Sequence, residues 1–405
     1  MHVLVVTQYF WPENFRVNDL VAEFVSRGHS VTVLTGVPNY PSGKVFPEYL
    51  ADPSLFGAFS GASVVRVPMV SRGQGALRLA LNYVSFAVSA SLIGSWRLRR
   101  TRVDVIFVFE PSPVTVGLPA ILFGRTKGAP VAFWVLDQWP ETLAAVGAVR
   151  SRRVLYAVGS LVSFIYRRCD LLLAQSRSFI PHIKKYAGPG ARVEYFPSWS
   201  DSLAHEKTPG AASEIPNTNG VFTVLFAGNV GEAQDFPAIL AAAEILACRR
   251  DIRWVVVGDG RRMDWVREEV RRRGLDESIL LLGRFPLGRM AGFFSRADAL
   301  LVSLRADPVF AMTIPGKVQS YLAAGRPLVG MLDGEGADLI RRARAGLVCP
   351  AGDSVGLARN VESLAAMSVE ARERMARNGK VLSETEFDRG ILMTTLDQWL
   401  QGLRR

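Results

Sequence analysis

The chain has 405 residues, 49% of them hydrophobic and 21% charged, which excludes a disordered protein and suits two domains of about 200 residues each better than one core. Its formal net charge of +11 falls almost wholly in the first 200 residues, so the first half expects an anionic partner. Arginine clusters (Arg97, Arg99, Arg100, Arg102; Arg150, Arg152, Arg153; Arg167, Arg168) border apolar segments. That placement favours an anionic membrane surface over nucleic acid, and no zinc-finger or RNA-binding signature is present. Cys169, Cys248 and Cys349 are widely spaced and odd in number, offering neither a disulfide framework nor a metal cluster and fitting a reducing cytoplasm.

Val3 to Thr7 is a short apolar run of the kind found in buried parallel strands, in a start (MHVLVVTQYF) that reads as a strand and not as a signal peptide. The following loop, QYFWPENFR, has no glycine; a dinucleotide turn needs G-x-G-x-x-G at this place, so hydride transfer loses its main support. A helix is expected over Val17 to Arg27, capped by Gly28. Strands are expected at Ser30 to Thr35, Val64 to Val67, Val103 to Phe109, Val131 to Val135, Asp170 to Gln175 and Arg192 to Phe196, with helical segments between them. Such alternation builds a doubly wound α/β domain whose ligands lie beyond the carboxyl ends of the strands. Ala76 to Trp96 is nearly long enough to span a bilayer, yet it holds Arg78, Asn82 and four serines and runs into WRLRR. It reads as a helix with one strongly apolar face, packed in the core or lying in the membrane interface.

The stretch 201–220 is rich in Pro, Ser, Thr, Asn and Gly and marks the linker between a domain of residues 1–200 and one of residues 221–385. The second series runs through strands Val221 to Ala227, Arg253 to Val257, Ile279 to Leu282, Ala299 to Ser303 and Leu328 to Leu332. Glycine loops follow the first three: Gly228-Asn229-Val230-Gly231, Gly258-Asp259-Gly260 and Gly283-Arg284-Phe285. One such loop is ordinary turn chemistry; a set on one sheet edge describes a ligand cleft. After Ala299 to Ser303 comes Thr313-Ile314-Pro315-Gly316-Lys317, opening a helix, and Asp333-Gly334-Glu335-Gly336 opens another. Backbone N–H groups at a helix start, with Lys317 beside them, suit a diphosphate, although a surface lysine in a plain βα turn has the same pattern. The last 20 residues, 386–405, form a helix that either caps its own domain or returns to the first. The four histidines form no metal pattern and no Ser/His dyad.

Four stretches carry a more specific resemblance: QYFWPENFRVNDL, VLDQWPETLAAVGA, FAGNVGEAQDF and TIPGKVQSYLAAGRPLVG. Together they resemble glycosyltransferase family 4, in particular the bacterial enzymes of O-antigen, capsule and colanic-acid assembly, including the L-fucosamine transferases. The resemblance implies the GT-B fold, two doubly wound Rossmann-like parallel-sheet domains facing a central cleft. It implies a retaining, metal-independent transfer from a nucleotide sugar, with UDP the expected nucleotide and an N-acetylated sugar such as N-acetyl-L-fucosamine in keeping with the subgroup. The acceptor would be a lipid-linked saccharide at the inner face of the plasma membrane, and no cofactor would be needed. Lys317, with N–H groups around Gly231 and Gly316, would stabilise the leaving diphosphate. Gly228, Asn229, Gln234, Gly258, Asp259, Gly260, Arg284, Pro315, Ser320 and Glu335 would line the donor. Asp137 and Glu141 would face the acceptor hydroxyl as orienting group or base, Asp137 having helix N-capping as its alternative. Glu13, Arg16, Asn18, Asn39 and Tyr40 would hold the acceptor.

The chain departs from the family where a Glu-x7-Glu motif is usual, with Met312 and Ser320 at the two acidic positions. An Arg and a Lys usual in the first loop of the second domain are replaced by Asn229 and Gln234. More of the diphosphate's charge should then fall on Lys317, with Arg305, Arg261 or Arg284 assisting. Two other readings fit the same fold or charge: a nucleotide-sugar epimerase, which would need no basic first domain, and a non-catalytic module for an anionic ligand.

Overall fold

The computed structural model describes residues 1–73, 75–145, 147, 149–200 and 210–404. It divides into two compact units, Met1–Pro197 with Met393–Arg405, and Ser198–Leu392. His205 and Val146 lie outside the described residues, as do positions 201–209 of the expected linker. The remainder of that linker does not run free. Ala212 and Ile215 are buried in the second unit's core, and Ala212 N–H donates to Gly292 O at 3.1 Å. Two apolar side chains suffice to dock a stretch whose composition reads as linker.

The first unit is built on β1 (His2–Val6), β2 (Ser30–Gly36), β3 (Ala58–Phe59), β4 (Ala62–Val67), β5 (Val105–Glu110), β6 (Val131–Val135), β7 (Leu171–Ala174) and β8 (Val193–Tyr195). Their order in the sheet is β3-β4-β2-β1-β5-β6-β7-β8, parallel except for the short β3–β4 pair. The runs VLVV, VIFVF and VAFWV are apolar on both faces because helices cover both faces of such a sheet. The chain winds outward from β1 in one direction and, after β4, returns to β5 on β1's other side. The β1/β5 boundary is therefore the topological switch point, where the crevice of an open α/β sheet opens.

The second unit repeats the scheme with β9 (Phe222–Ala227), β10 (Ile252–Val257), β11 (Ile279–Gly283), β12 (Ala299–Ser303), β13 (Leu328–Met331) and β14 (Gly346–Cys349). The order β11-β10-β9-β12-β13-β14 puts its switch point between β9 and β12. Apolar clusters fill both faces, one around Phe226, Trp254 and Leu301, the other around Phe293, Tyr321 and Leu328.

The segment expected at Ala76 to Trp96 is a helix over Ala76–Ser89, one π-helical turn over Ala90–Gly94 and a last turn over Ser95–Arg97. Asn82, Phe86, Ala87, Ala90 and Gly94 face inward and are buried. The buried Asn82 is fully bonded, accepting from Gln8 Nε2 at 2.7 Å and Tyr9 Oη at 2.9 Å and donating to Val70 O at 2.6 Å. Leu77, Leu81, Val84, Val88, Leu92 and Trp96 lie on the other face, each at least half exposed. Spacings of three and four put them in one stripe. At the other end of the chain, residues of the helix Arg389–Leu403 pack on the first unit through Asp397 to His29 (2.8 Å) and Trp399 against Phe196.

Candidate functional site

In the second unit the residues expected at the donor lie in the loops that follow β9, β10, β11, β12 and β13, and those after β9 and β12 flank the switch point. The loops after β9 and β10 start side by side, with Gly228 N–H donating to Val257 O at 2.8 Å, while Gly258 N–H donates to Gly283 O at the end of β11 at 2.7 Å. A Cβ at Gly258 would stand 1.8 Å from Gly228 O, and its φ is +146°, so only glycine fits. Val230 N–H donates to Asp259 O, and Asp259 Oδ1 accepts from Gly260 N–H. Asn229 Nδ2 and Gly231 N–H both donate to Gln234 Oε1, at 3.4 and 3.1 Å. This corrects one expectation. The Gly231 N–H, expected at the diphosphate, is taken by Gln234 Oε1, because a loop this tight brings a side-chain oxygen back onto its own first donor.

Lys317 follows β12 in sequence but reaches across to β9. It lies in the first turn of the helix Gly316–Ala323, which has no side-chain cap at Pro315. The same helix is pinned to the end of β9 by Tyr321, whose Oη accepts from Ala227 N–H (2.8 Å) and donates to Ala227 O (3.0 Å). That bridge fixes Lys317 beside the β9 loop: a Cβ at Gly228 would meet Lys317 Cε at 2.7 Å. The Lys317 Nζ is buried, has no hydrogen-bond partner among the described residues, and lies 3.4 Å from the centre of the Phe226 ring. Burial pulls the amine down to about 7, since removing water penalises the charged form; the ring face opposes this.

The other expected donor residues surround this point unequally. Gly336, in the first turn of the helix Gly334–Ala343 that also carries Glu335, faces Pro315. Ser320 Oγ donates to Gly316 O at 3.4 Å within its own helix. Arg284, Arg261 and Arg305 are exposed, Arg305 lying over the Phe310 ring. Lys317 is thus the buried cation of the site, and it stands on the switch point itself.

In the first unit most of the expected acceptor residues turn out to be framework. Glu13 is buried, and its carboxylate accepts from Phe10 N–H (3.0 Å), Asn39 N–H (2.7 Å) and Tyr40 N–H (2.7 Å). Asn18 accepts from Trp11 N–H and donates to Glu13 O. Asn39 donates to Val37 O and accepts from Arg72 N–H. These side chains lock the glycine-free loop after β1 to the loop after β2, which explains how a loop without glycine holds its shape. Arg16, 3.8 Å from Asp19, and Tyr40, packed on Tyr9 and Phe15, are part-exposed.

Glu141 is also an anchor and not a free base. One oxygen accepts from Tyr186 Oη (2.8 Å) and Lys185 Nζ (3.1 Å), and the other faces His182 Nε2 at 3.3 Å. It ties the short helix Glu141–Ala145 to the helix Phe179–Ala187, giving His182 a partner that its sequence context did not suggest. Asp137 stays at the edge of β6. Oδ1 accepts from Thr142 Oγ1 (2.6 Å) and Gln138 N–H (2.9 Å), and Oδ2 from Trp139 Nε1 (3.2 Å). Burial raises its proton affinity against these donors.

The sequence reading missed Glu110. It ends β5 beside the switch point, is fully buried, and accepts through Oε2 from Leu136 N–H and Asp137 N–H, each at 3.3 Å. The only signal for it was a carboxylate closing an otherwise apolar run, VIFVFE.

Two Rossmann-like units, each with its polar groups gathered at a switch point, define the GT-B fold class of nucleotide-sugar glycosyltransferases. Residues 14–199 match the family described as "Glycosyl transferase 4-like domain", and residues 221–367 that described as "Glycosyl transferases group 1". The chain belongs to glycosyltransferase family 4. Among curated proteins it is 24% identical over 345 residues, 80% of this chain and 82% of the relative, to a protein of Escherichia coli (strain K12) assigned to colanic acid biosynthesis as the glycosyl transferase WcaI. Among solved structures it is similar to Anabaena Alr3699/HepE in complex with UDP (TM-score 0.71, 13% identity, 99% of this chain and 100% of that one). It is similar too to WaaG, a glycosyltransferase involved in lipopolysaccharide biosynthesis (TM-score 0.65, 15% identity, 99% and 100%).

Proposed function

We propose that the chain transfers a sugar, with retention of anomeric configuration, from a UDP-sugar to a lipid-linked saccharide during assembly of a bacterial surface polysaccharide. The observation that carries the donor half is Lys317: a buried amine without a protein partner, at the switch point of a parallel sheet and in the first turn of a helix. A diphosphate is the ligand such a group suits, because it supplies the missing counter-charge and meets the positive helix end together. As the glycosidic bond to phosphate breaks, negative charge grows on the departing oxygen, and a fixed cation stabilises that state more than the ground state. In this reading Lys317 takes the place of a metal ion. The WcaI relative, the UDP complex of HepE and the lipopolysaccharide role of WaaG agree with this choice of nucleotide and product class.

In the first unit Asp137 is the carboxylate left to orient the acceptor hydroxyl or receive its proton. The exposed stripe Leu77, Leu81, Val84, Val88, Leu92 and Trp96, with Arg78, Arg97, Arg99 and Arg100 on the same segment, is the proposed membrane-docking face. Its inner face is occupied by the protein's own core, so the helix lies in the interface plane and does not span. The test is isothermal titration of UDP into wild type and Lys317→Ala, followed by transfer assays with extracted lipid acceptor. Wild-type affinity retained in the variant would remove Lys317 from the site; absence of UDP binding to wild type would remove the choice of nucleotide.

A further inference from the structure

The first unit holds buried polar atoms that its own framework leaves unsatisfied, on three strand ends that are neighbours in the sheet. Glu110, the last residue of β5, uses Oε2 for two backbone N–H groups while Oε1 has no partner. Gln138, three residues beyond β6, is buried with neither its amide oxygen nor its amide nitrogen bonded. Gln8, two residues beyond β1, donates through Nε2 to Asn82 and Tyr9, and its buried Oε1 is unbonded. The helix Ala76–Ser89 gathers the outer two: Asn82 holds Gln8, and the adjacent Tyr83 packs edge-on against Trp139, next to Gln138, at 5.9 Å. Glu110 holds the backbone of Leu136 and Asp137 between them. Buried polar groups are nearly always bonded in native proteins. Ser89, Ser95, Thr115, Glu141, Tyr166 and His182 of this unit also hold unbonded buried atoms; what sets Gln8, Glu110 and Gln138 apart is their place on adjacent strand ends at the switch point, where a ligand would complete them.

We propose that the ends of β1, β5 and β6 form a hydroxyl-recognising subsite for an uncharged saccharide, with the Glu110 carboxyl, the Gln138 amide and the Gln8 amide oxygen as its polar contacts. The proposal rests on the reading of this chain as a glycosyltransferase and identifies where its first unit holds sugar. Glu110 is an undissociated acid in this scheme. Its Oε2 already accepts two N–H groups, so the proton resides on Oε1, which becomes an O–H donor; an ionised carboxylate with one oxygen unbonded in a buried site would be far costlier. The titratable groups facing it, Asp137 beyond β6 and Tyr166 on the helix Arg152–Tyr166, add no positive charge, and burial and Asp137 together hold the proton on. The subsite thus offers an O–H, an NH2 and two carbonyl oxygens with no cation. That alternation matches hydroxyl groups, which donate and accept together, and it disfavours phosphate.

The experiment uses the full-length protein without nucleotide, with methyl glucoside and methyl N-acetylglucosaminide as probes in saturation-transfer NMR. Wild type should bind at least one of them. Glu110→Gln, which keeps the acceptor oxygen and supplies an N–H in place of the O–H, should bind within about twofold of wild type. Gln138→Leu and Gln8→Leu should weaken binding at least tenfold while UDP affinity, which reports on the second unit, is unchanged. Infrared difference spectra of wild type minus Glu110→Gln at pH 7 should show the band of a protonated carboxyl group. No saccharide binding by wild type, unaltered binding by both leucine variants, a tenfold loss in Glu110→Gln, or a carboxylate band in place of the acid would each overturn the subsite. Loss of UDP binding in wild type would count against the donor reading alone.

Discussion

Replacing Lys317 by methionine separates what the residue does for the fold from what it does for a ligand. An amine with an ordinary value of 10.5 that is drawn to about 7 in the folded protein binds its proton more weakly folded than unfolded. The unfolded chain therefore holds more protons between those two values, and wild-type stability should rise with pH across that window. Below pH 7 the full difference applies, about 4–5 kcal/mol at roughly 1.4 kcal/mol per unit. The Phe226 ring at 3.4 Å offsets about half of it, a desolvated cation–π contact being worth about 2 kcal/mol. Lys317→Met should thus be about 2 kcal/mol more stable than wild type at pH 6.5, with the gap closing toward pH 10, as denaturant midpoints would show. Ligand binding should show the reverse dependence. A diphosphate restores the charge, so above pH 7 wild type should take up close to one proton per UDP bound, seen as a buffer-dependent heat in titration calorimetry. Affinity should fall up to about tenfold per pH unit, since the charged fraction falls by that factor. Lys317→Met should lose both effects. A destabilised methionine variant, or UDP binding by wild type without proton uptake, would refute the picture of a buried amine waiting for its counter-ion.

Tyr321→Phe removes the hydroxyl that joins the Lys317 helix to Ala227. Stability should fall by about 1–3 kcal/mol, because a buried N–H and C=O lose their partner, and UDP affinity should fall with it. Glu141→Gln loosens the contact with His182, Lys185 and Tyr186 and should lower the melting temperature while leaving UDP affinity unchanged. Replacing Leu81, Val88 and Leu92 together by glutamate, on an exposed stripe, should abolish co-sedimentation with anionic vesicles without altering the melting temperature by more than a few degrees. High salt should weaken wild-type sedimentation, because basic residues beside the stripe supply part of the attraction.

The sheets were legible because their strands are apolar on both faces, and a run such as VIFVF or ALLVS admits little else between turn signals. The glycine loops on one sheet edge were legible because close loop approach demands glycine, and glycine is visible in sequence; that Gly228 and Gly258 approach each other is seen only in the fold. What sequence could not supply is the direction in which a polar group points. Glu13, Asn18 and Asn39 lie in the right loops yet bond inward, while Gln234 turns back onto Gly231. Glu141 and His182 are 41 residues apart in number and 3.3 Å apart in space; only the packing of two helices reveals the pair. Glu110 escaped notice because a carboxylate ending a strand reads as solvated, and that it is buried at the end of a central strand, between β1 and β6, is seen only in the assembled sheet.

The two switch points differ in a way that bears on the division of labour between the units. At β9/β12 the buried group is a base that burial pushes toward neutrality; at β1/β5 it is an acid whose proton affinity burial raises. Among the described residues no opposite charge pairs with either group, so each site could gain free energy from a ligand that completes it, but from different ligands. An anion recharges Lys317 and would only worsen the surroundings of Glu110 and Asp137. A neutral polyol satisfies Glu110, Gln138 and Gln8 and leaves Lys317 uncompensated. On the proposed assignment, swapping the two ligands would be disfavoured at both sites, and this difference would direct nucleotide diphosphate to the second unit and saccharide to the first. In the proposed reaction product UDP would leave a charged Lys317 behind it, and an amine drawn to about 7 would shed its proton near neutral pH instead of retaining the anion by charge alone. The expected consequence is that UDP release quickens as pH rises from 7 to 9 in wild type, measured by stopped-flow displacement; a release rate independent of pH would show that Lys317 keeps its proton throughout the cycle.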